Sequence, residues 1–108
     1  MIFIVVKFKV RAEWIDRWIE LATPFTDATR AEPGNLWFEW SRSVDDLDEF
    51  VLVEAFRDGD AGREHVESEH FAAAMAALPE ALVETPRIVS QVVDQTGWNE
   101  MGEMQVSR

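Results

Sequence analysis

Cysteine is absent from this 108-residue chain. Without it the chain can form no disulfide, thiolate zinc site, iron–sulfur cluster or cysteine nucleophile. The sequence also lacks a glycine-rich phosphate loop, a dinucleotide-binding glycine motif and the Gly-x-Ser-x-Gly turn of the α/β-hydrolases. Neither a flavin site nor a nicotinamide site is therefore indicated.

Basic side chains are scarce, with 10 Lys and Arg against 21 Asp and Glu, which gives a formal charge of −11. Such a charge repels phosphate backbones and anionic lipid surfaces, so we expect binding to neither nucleic acid nor membranes. Long hydrophobic runs are also missing. The apolar stretch from Ile2 to Val6 ends at Lys7, which is too short for a secretory signal or a membrane span. A cytoplasmic protein is expected.

Apolar periodicity predicts a single α+β domain with the element order β-α-β-β-α-β. This is a ferredoxin-like arrangement, with both helical segments on one face of a four-stranded antiparallel sheet. The first helix should kink or restart at Pro24, which lacks a backbone donor. Two further caps are expected, at Asp60 and at Ser68. The predicted strands cover 2–10, 36–43, 50–57 and 88–93, and the helical segments cover 14–25, 60–67 and 68–82.

Both faces of the predicted sheet are apolar, although helices can cover only one of them. One row holds Ile4, Val6, Leu36, Phe38, Trp40, Leu52 and Phe56, and the opposite row holds Phe3, Val5, Trp37, Val51 and Val53. An uncovered apolar face favours a homodimer in which a second copy shields it. The alternative is a monomer whose tail folds back over that face. The domain is expected over 1–96, with a tail over 97–108 that is disordered or packed on the partner.

His65 and His70 are the only histidines, and imidazole can exchange a proton near neutral pH. Five residues apart on one unbroken helix, the two rings would point away from each other. If Ser68 separates two helices, they can converge on one pocket. The alternative is that each histidine is a surface or capping residue. A metal site with Glu64, Glu67 and Glu69 lacks the histidine spacing of a helical zinc site, so no metal is expected.

Glu54 falls in a row where period two predicts burial. A buried carboxylate is costly unless it is paired, and burial would raise its pKa toward a useful range. The alternative is an ion pair with Arg42 or Arg87. The aromatic residues belong mostly to the core, and those chosen as walls of a pocket are Trp40, Phe56 and Phe71.

Several short patterns resemble the antibiotic biosynthesis monooxygenase domain family, in the same order and spacing. The segment Glu32-Pro33-Gly34-Asn35-Leu36 is similar to the family's E-x-G turn, and Phe50 to Phe56 is similar to an apolar strand that ends in Glu-x-aromatic. His65, Ser68, His70 and Phe71 match its H-x-x-S-x-H-F signature. The resemblance covers about residues 2–96.

The resemblance implies a homodimeric α+β barrel with a hydrophobic cavity in each subunit. It also implies oxidation of small phenols, quinols or anthrones by O2 without flavin, haem or metal. In that interpretation His65 or His70 is the base and Glu54 orients or shares the proton. Arg87 would steady developing negative charge, and Asn35 would contact the substrate.

Two departures separate the chain from some relatives, and two other functions remain open. Phe56 stands where many relatives have Trp, and Met75 stands where haem-degrading relatives carry a histidine ligand, so haem is not expected. Asn35 and the run Glu54-Ala55-Phe56 also resemble the family branch that isomerises a phosphorylated signalling molecule. That acid/base isomerase is the first alternative. A dimeric small-molecule binding module without catalysis is the second.

Overall fold

The computed structural model describes all 108 residues and confirms the α+β architecture. Four strands form one antiparallel sheet in the order β2-β3-β1-β4. They are β1 Ile2–Lys9, β2 Asn35–Arg42, β3 Glu49–Phe56 and β4 Arg87–Val92. The helices are α1 Trp18–Arg30, α2 Gly59–Val66 and α3 Glu69–Ala77, with short 3-10 segments at Ala12–Arg17, Leu78–Ala81 and Gly102–Met104.

The first helical segment changes from 3-10 to α-helical geometry near Arg17, before the proline where the sequence predicts a change. A 3-10 turn passes into α1 at Arg17, and α1 then runs through Pro24 without restarting. Pro24 lies on an exposed side of the helix, as does Glu20, the residue whose carbonyl loses its intrahelical donor. Thr23 Oγ1 donates to the Ile19 carbonyl at 2.7 Å. The expected restart at Pro24 is therefore wrong, because the cost of proline falls where water can replace the missing bond.

Of the two predicted helix caps, the structure confirms one and contradicts the other. Ser68 separates α2 from α3, and its Oγ accepts the Phe71 N–H at 3.1 Å, which confirms the predicted cap. Asp60 is not a cap. Asp58, with extended backbone, accepts the Ala61 N–H at 2.9 Å, and Asp60 lies inside α2 beside Arg63. Asp58 precedes Asp60 along the chain and occupies the N-cap, because α2 already begins at Gly59.

The core lies between the helices and the inner face of the sheet, and it is mostly aromatic. Trp18 is fully buried, with its ring centroid 5.3 Å from Phe8 and 5.7 Å from Trp40. At the other end of the sheet Phe25 lies 5.4 Å from Phe38, edge to face. Leu36 was expected in this row but is 41% exposed, because the register of β2 shifts between Asn35 and Trp37.

The outer face of the sheet is apolar and carries no helix. Phe3, Val5, Trp37, Val51 and Val53 are all half-buried there. The tail covers part of this surface, since the Trp98 ring lies 5.2 Å from the Trp37 ring. Trp98 itself is 69% exposed, so this contact leaves the rest of the face open. No helix of the fold has the length and apolar character needed to cross a membrane.

Gly34 is required by a close approach rather than by its backbone angles. A methyl group at this position would overlap the side chain of Ala61 in α2. The Gly34 carbonyl accepts the Arg57 N–H at 2.8 Å, which fixes the turn after α1 against the end of β3. The turn and α2 are therefore packed directly on each other.

We expect Gly34→Ala to lower the free energy of unfolding by about 1–3 kcal/mol through overpacking. The matched control is Gly59→Ala, because a methyl group there meets no atom within 4 Å. It should change stability by less than about 1 kcal/mol. Urea unfolding of both variants measures the difference, and equal stabilities would contradict this packing.

Candidate active site

Glu32 lies in the turn between α1 and β2, and this turn fixes its position. Arg30 donates twice to the Phe38 carbonyl, at 2.9 and 2.8 Å, which joins the end of α1 to β2. The Glu32 N–H donates to the Thr29 carbonyl at 3.0 Å, and the Asn35 N–H donates to the Glu32 carbonyl at 3.1 Å. The backbone N–H and carbonyl of Glu32 are thus both bonded, and its side chain is 14% exposed.

The junction between α2 and α3 places the two histidines. His65 lies in the last turn of α2 and His70 in the first turn of α3. Ser68 Oγ donates to the His65 carbonyl at 2.6 Å while it caps α3. The change of direction brings the two imidazole centroids within 6.1 Å of each other. The convergence expected if Ser68 divides two helices is therefore observed.

One carboxylate oxygen contacts both imidazoles. Glu32 Oε2 lies 2.8 Å from His65 Nδ1 and 2.5 Å from His70 Nε2. Since an ionised carboxylate only accepts, each ring nitrogen donates its proton to this oxygen. The bond fixes the tautomer of each neutral ring and leaves His65 Nε2 and His70 Nδ1 as the acceptor atoms. We call Glu32, His65 and His70 the Glu-His cluster.

Glu54 borders the Glu-His cluster from the sheet. On the inner face it pairs in register with Ile4 of β1 and Phe38 of β2, so apolar residues flank it on both sides. Its Oε1 lies 3.9 Å from His65 Nε2 and has no hydrogen-bond partner, although it is buried. The alternative of an ion pair is wrong. Arg42 donates to the Leu47 carbonyl, and Arg87 contacts Glu49.

Burial shifts the pKa values of Glu54 and His65 in the directions that favour the neutral form of each side chain. The pKa of Glu54 is raised to about 7, chiefly by burial and further by the negative charge of Glu32. The pKa of His65 is lowered, also chiefly by burial, while its bond to Glu32 opposes the shift. Two groups that favour neutrality near pH 7 thus lie side by side, as expected of an acid–base site.

The cluster reaches the surface through His70. The side chain of His65 is only 5% exposed, whereas that of His70 is 26% exposed. His70 opens into a cleft of about 140 Å³ between α1 and α3, which also contacts Leu21, Pro24, Phe25, Ala73, Ala74, Ala77 and Leu78. A larger apolar pocket of about 330 Å³ lies across α3, against Phe8, Leu78 and Leu82. It touches neither histidine.

The aromatic residues predicted to wall a pocket take different positions. Phe56 and Phe71 surround His65, with centroids 4.7 and 5.2 Å from its ring. Trp40 belongs to the aromatic core at the far end and donates Nε1–H to Thr26 Oγ1 at 2.9 Å. Its assignment to the pocket is therefore wrong in this structure, because Thr26 and the rings of Phe8 and Trp18 hold it elsewhere.

The polar residues predicted to bind substrate do not join the cluster. Asn35 Nδ2 donates to the Trp37 and Ala55 carbonyls at 3.0 and 3.3 Å, so it stabilises the irregular start of β2. Arg87 pairs with Lys7 across the sheet, whereas Glu54 pairs with Ile4. An odd separation along β1 places Arg87 on the opposite face from Glu54. The predicted role of Arg87 at this site is therefore wrong, because the register places its side chain on the other face of the sheet.

Glu32 is the residue that sequence reasoning missed. In the sequence it belongs to a turn motif, and a carboxylate before Pro-Gly gives no periodic signal of burial. Its distance along the chain from His65 and His70 hid the contact. The structure shows Glu64, Glu67 and Glu69 all exposed, so the acidic partner of the two histidines comes from a distant segment that no local pattern marks.

The fold is a ferredoxin-like α+β domain, and the Glu-His cluster lies between its helices and the inner face of the sheet. Residues 1–77 match the family model of the antibiotic biosynthesis monooxygenases, so the chain belongs to this family. The match includes Glu32, Glu54, His65 and His70. No curated protein matches the sequence significantly.

Solved structures from several bacteria share the fold. Rv0793 from Mycobacterium tuberculosis is 25% identical with a TM-score of 0.80, over 89% of this chain and 98% of that chain. A protein from Deinococcus radiodurans, assigned to the antibiotic biosynthesis monooxygenases, is 22% identical with a TM-score of 0.82, over 94% and 100%. A similarly assigned protein from Nitrosomonas europaea is 23% identical with a TM-score of 0.80, over 88% and 100%.

Glu54→Gln should change the pH dependence of stability in one direction. A carboxyl whose pKa rises from 4.5 to about 7 on folding stabilises the fold at low pH, and this contribution is lost as pH rises from 4.5 to 7. The variant should therefore exceed the wild type in stability at pH 8, by up to roughly 3 kcal/mol, and match it near pH 5.

His65 is present in both proteins, so its contribution largely cancels in the comparison. Its lowered pKa destabilises both as pH falls below 6.5. Urea unfolding at pH 5, 6, 7 and 8 measures the difference between the two proteins. A difference that stays constant across this range would contradict the raised pKa of Glu54.

Proposed function

We propose that this protein is a cofactor-independent monooxygenase that oxidises small aromatic or quinol-type substrates with O2. The observation that carries the proposal is the single carboxylate oxygen of Glu32 between the rings of His65 and His70. A carboxylate that fixes the tautomer of an imidazole makes the opposite nitrogen an effective base. Family membership supports the same class of reaction.

His70 is the base in this proposal. Its Nε2 is held by Glu32, and its Nδ1 makes no hydrogen bond to the protein. His70 is also the cluster residue that lines the cleft between α1 and α3. His65 is enclosed by Phe56 and Phe71 and faces Glu54. It does not contact the substrate in this proposal, and together with Glu54 it holds the proton that His70 removes.

The chemistry balances without a cofactor. His70 takes the acidic proton of the phenol, quinol or anthrone, and the resulting anion passes one electron to O2. The substrate radical and superoxide combine to form a carbon–oxygen bond. The peroxide anion takes the proton back from His70 and then loses water, so that one oxygen atom remains in the product and the other leaves as water. An apolar cleft supports these steps because it keeps bulk water from the radical pair.

The cleft must widen to accept such a substrate. Its volume of about 140 Å³ is smaller than the roughly 300–1,000 Å³ of typical ligand pockets. Alanine side chains line the α3 side, at positions 73, 74 and 77, and they offer little resistance to a planar ring. Movement of α3 away from α1 is the simplest opening, since α1 is held to β2 by Arg30.

Oxygen-electrode assays with a panel of quinols, anthrones and naphthols test the proposal on chelator-treated protein. We expect O2 uptake that falls at least ~100-fold in His70→Ala, the usual contribution of a general base. Glu67→Gln is the matched control, because Glu67 is exposed and belongs to the same helix junction. Its rate should equal that of the wild type. Unchanged uptake in both His65→Ala and His70→Ala would refute the assigned roles.

An acid/base isomerase of a small hydroxy-ketone is the second candidate. Two imidazoles on one carboxylate supply the two proton-carrying groups that transfer of hydrogen between adjacent carbons requires. This reaction consumes no O2. Conversion of a hydroxy-ketone in an anaerobic cuvette, with no uptake on the aromatic panel, would favour the isomerase. Ligand binding without turnover, unaltered in both histidine variants, would instead favour a non-catalytic binding module.

We also propose that the functional form is a homodimer whose subunits pack through the outer face of the sheet. Half-buried Val5, Val51 and Val53 lie at the centre of that face, and the tail covers only the part near Trp37. Leaving several hundred Å² of apolar surface wet costs roughly 10 kcal/mol at about 25 cal/mol per Å². A second copy removes that cost.

Val53→Asp tests the dimer, because a charge at the centre of the interface must be buried without a partner. Light scattering should show a dimer for the wild type and a folded monomer for the variant. Val44→Asp is the matched control, since Val44 is 89% exposed in the β2–β3 loop. It should remain a dimer. A wild-type protein that is monomeric at high concentration would contradict the proposal.

A further inference from the structure

The Glu-His cluster has the composition of a metal site. One ligand atom each from Glu32, His65 and His70 lies within 4.8 Å of the other two. Two imidazole nitrogens and one carboxylate oxygen are the donor set of many zinc sites and of the non-haem iron sites with one open face. The sequence supplies no such set on one helix, and the fold creates it by bringing the α1–β2 turn to the helix junction.

The spacing of the donors needs only a small adjustment. Nitrogen and oxygen ligands at about 2.0–2.1 Å from a tetrahedral ion lie about 3.3 Å from one another. The present separations from Glu32 Oε2 are 2.8 Å to His65 Nδ1 and 2.5 Å to His70 Nε2. An ion takes the place of the two shared protons, and the Glu32 carboxylate withdraws by less than about 1 Å.

Glu54 provides an independent observation that points to an ion. Its buried Oε1 has no partner and lies 3.9 Å from His65 Nε2, the ring atom opposite the Glu32 contact. Histidines that bind a metal almost always donate their other N–H to a carboxylate or carbonyl. When Nδ1 of His65 binds an ion, the ring proton must reside on Nε2, and Glu54 is the acceptor in position. The orphaned oxygen then gains a partner.

Access and charge also favour a cation. His70 opens the cluster to the α1–α3 cleft, which gives an ion and its remaining water ligands a route from solvent. The net charge of −11 concentrates cations near the protein. Two carboxylates, Glu32 and Glu54, balance the two positive charges of a divalent ion without any change in the rest of the core.

We propose that Glu32, His65 and His70 bind one divalent late first-row transition metal ion per chain, with Glu54 accepting the His65 N–H. The ion binds the nitrogen and oxygen atoms that share the two protons in the free protein. An ion on His70 Nε2 leaves the ring proton on Nδ1, the atom that acts as the base in the proposed oxygenase. Metal binding and that proton transfer therefore exclude each other, a statement that rests on the proposed function. Binding itself is independent of it and needs neither substrate nor O2.

Titration of chelator-treated protein with Co²⁺, followed by visible absorption, tests the binding directly. We expect one Co²⁺ per chain with a spectrum distinct from that of the aqueous ion, and Zn²⁺ should displace it. Glu32→Gln and His70→Ala should abolish the spectrum. Glu54→Gln should weaken binding about 10–100-fold, as loss of a carboxylate behind a ligating histidine does. Glu67→Gln, which removes an exposed carboxylate nearby, should bind as the wild type does.

Circular dichroism of each variant checks that it is folded. Ring-proton resonances of His65 and His70 in the wild type, shifted by bound Co²⁺, provide a test that needs no variant. Binding without these shifts, or equal weakening by Glu67→Gln and Glu32→Gln, would show surface association and overturn the site. No spectral change at tenfold excess of Co²⁺ would do the same. Absence of O2 uptake with intact Co²⁺ binding would instead count against the proposed function alone.

Discussion

The carboxylate of Glu32 is the contact on which the arrangement of this end of the protein depends. It joins three separate segments, because it extends from the α1–β2 turn to both histidines of the α2–α3 junction. The close approach of Gly34 to Ala61 brings the same turn against α2. Charge-assisted bonds are roughly twice as strong as neutral ones. A single oxygen thus links the α1–β2 turn to both helices and determines which nitrogen of each ring remains available.

This polar cluster lies at one end of an otherwise aromatic interior, and the contrast explains its chemistry. Trp18, Trp40 and Phe50 fill the far end with apolar contacts, while Phe25, Phe56 and Phe71 enclose His65. A low-dielectric wall strengthens the bonds of Glu32 and at the same time penalises an unpaired charge on Glu54. A core built for stability alone would place a hydrophobic residue at position 54. The carboxylate at this position is what the proposed proton transfer and the proposed ion site both use.

Local patterns predicted the fold well, because strands and caps are written in short stretches of sequence. Alternation located β1 and β2, and runs of β-branched and aromatic residues located β3 and β4, each to within a residue or two. Ser68 predicted the division that lets the histidines converge. Pro24 misled because its effect depends on which side of the helix meets water. Leu36 misled because a bulge shifts the register. The site depended on contacts between distant segments: Glu32 was missed and Arg87 was misplaced, since neither a turn motif nor a lone arginine specifies which face of a sheet it will reach.

The bridging role of Glu32 is the central claim, and the long-range proton–nitrogen spectrum of the imidazoles tests it most directly. With both rings bonded to one carboxylate, the account predicts a protonated Nδ1 on His65 and a protonated Nε2 on His70, with a downfield-shifted, hydrogen-bonded proton on His70 Nε2. Glu32→Gln should remove the downfield signal and release the tautomer of His70. Tautomer populations and shifts equal to those of free histidine in the wild-type protein would contradict the account.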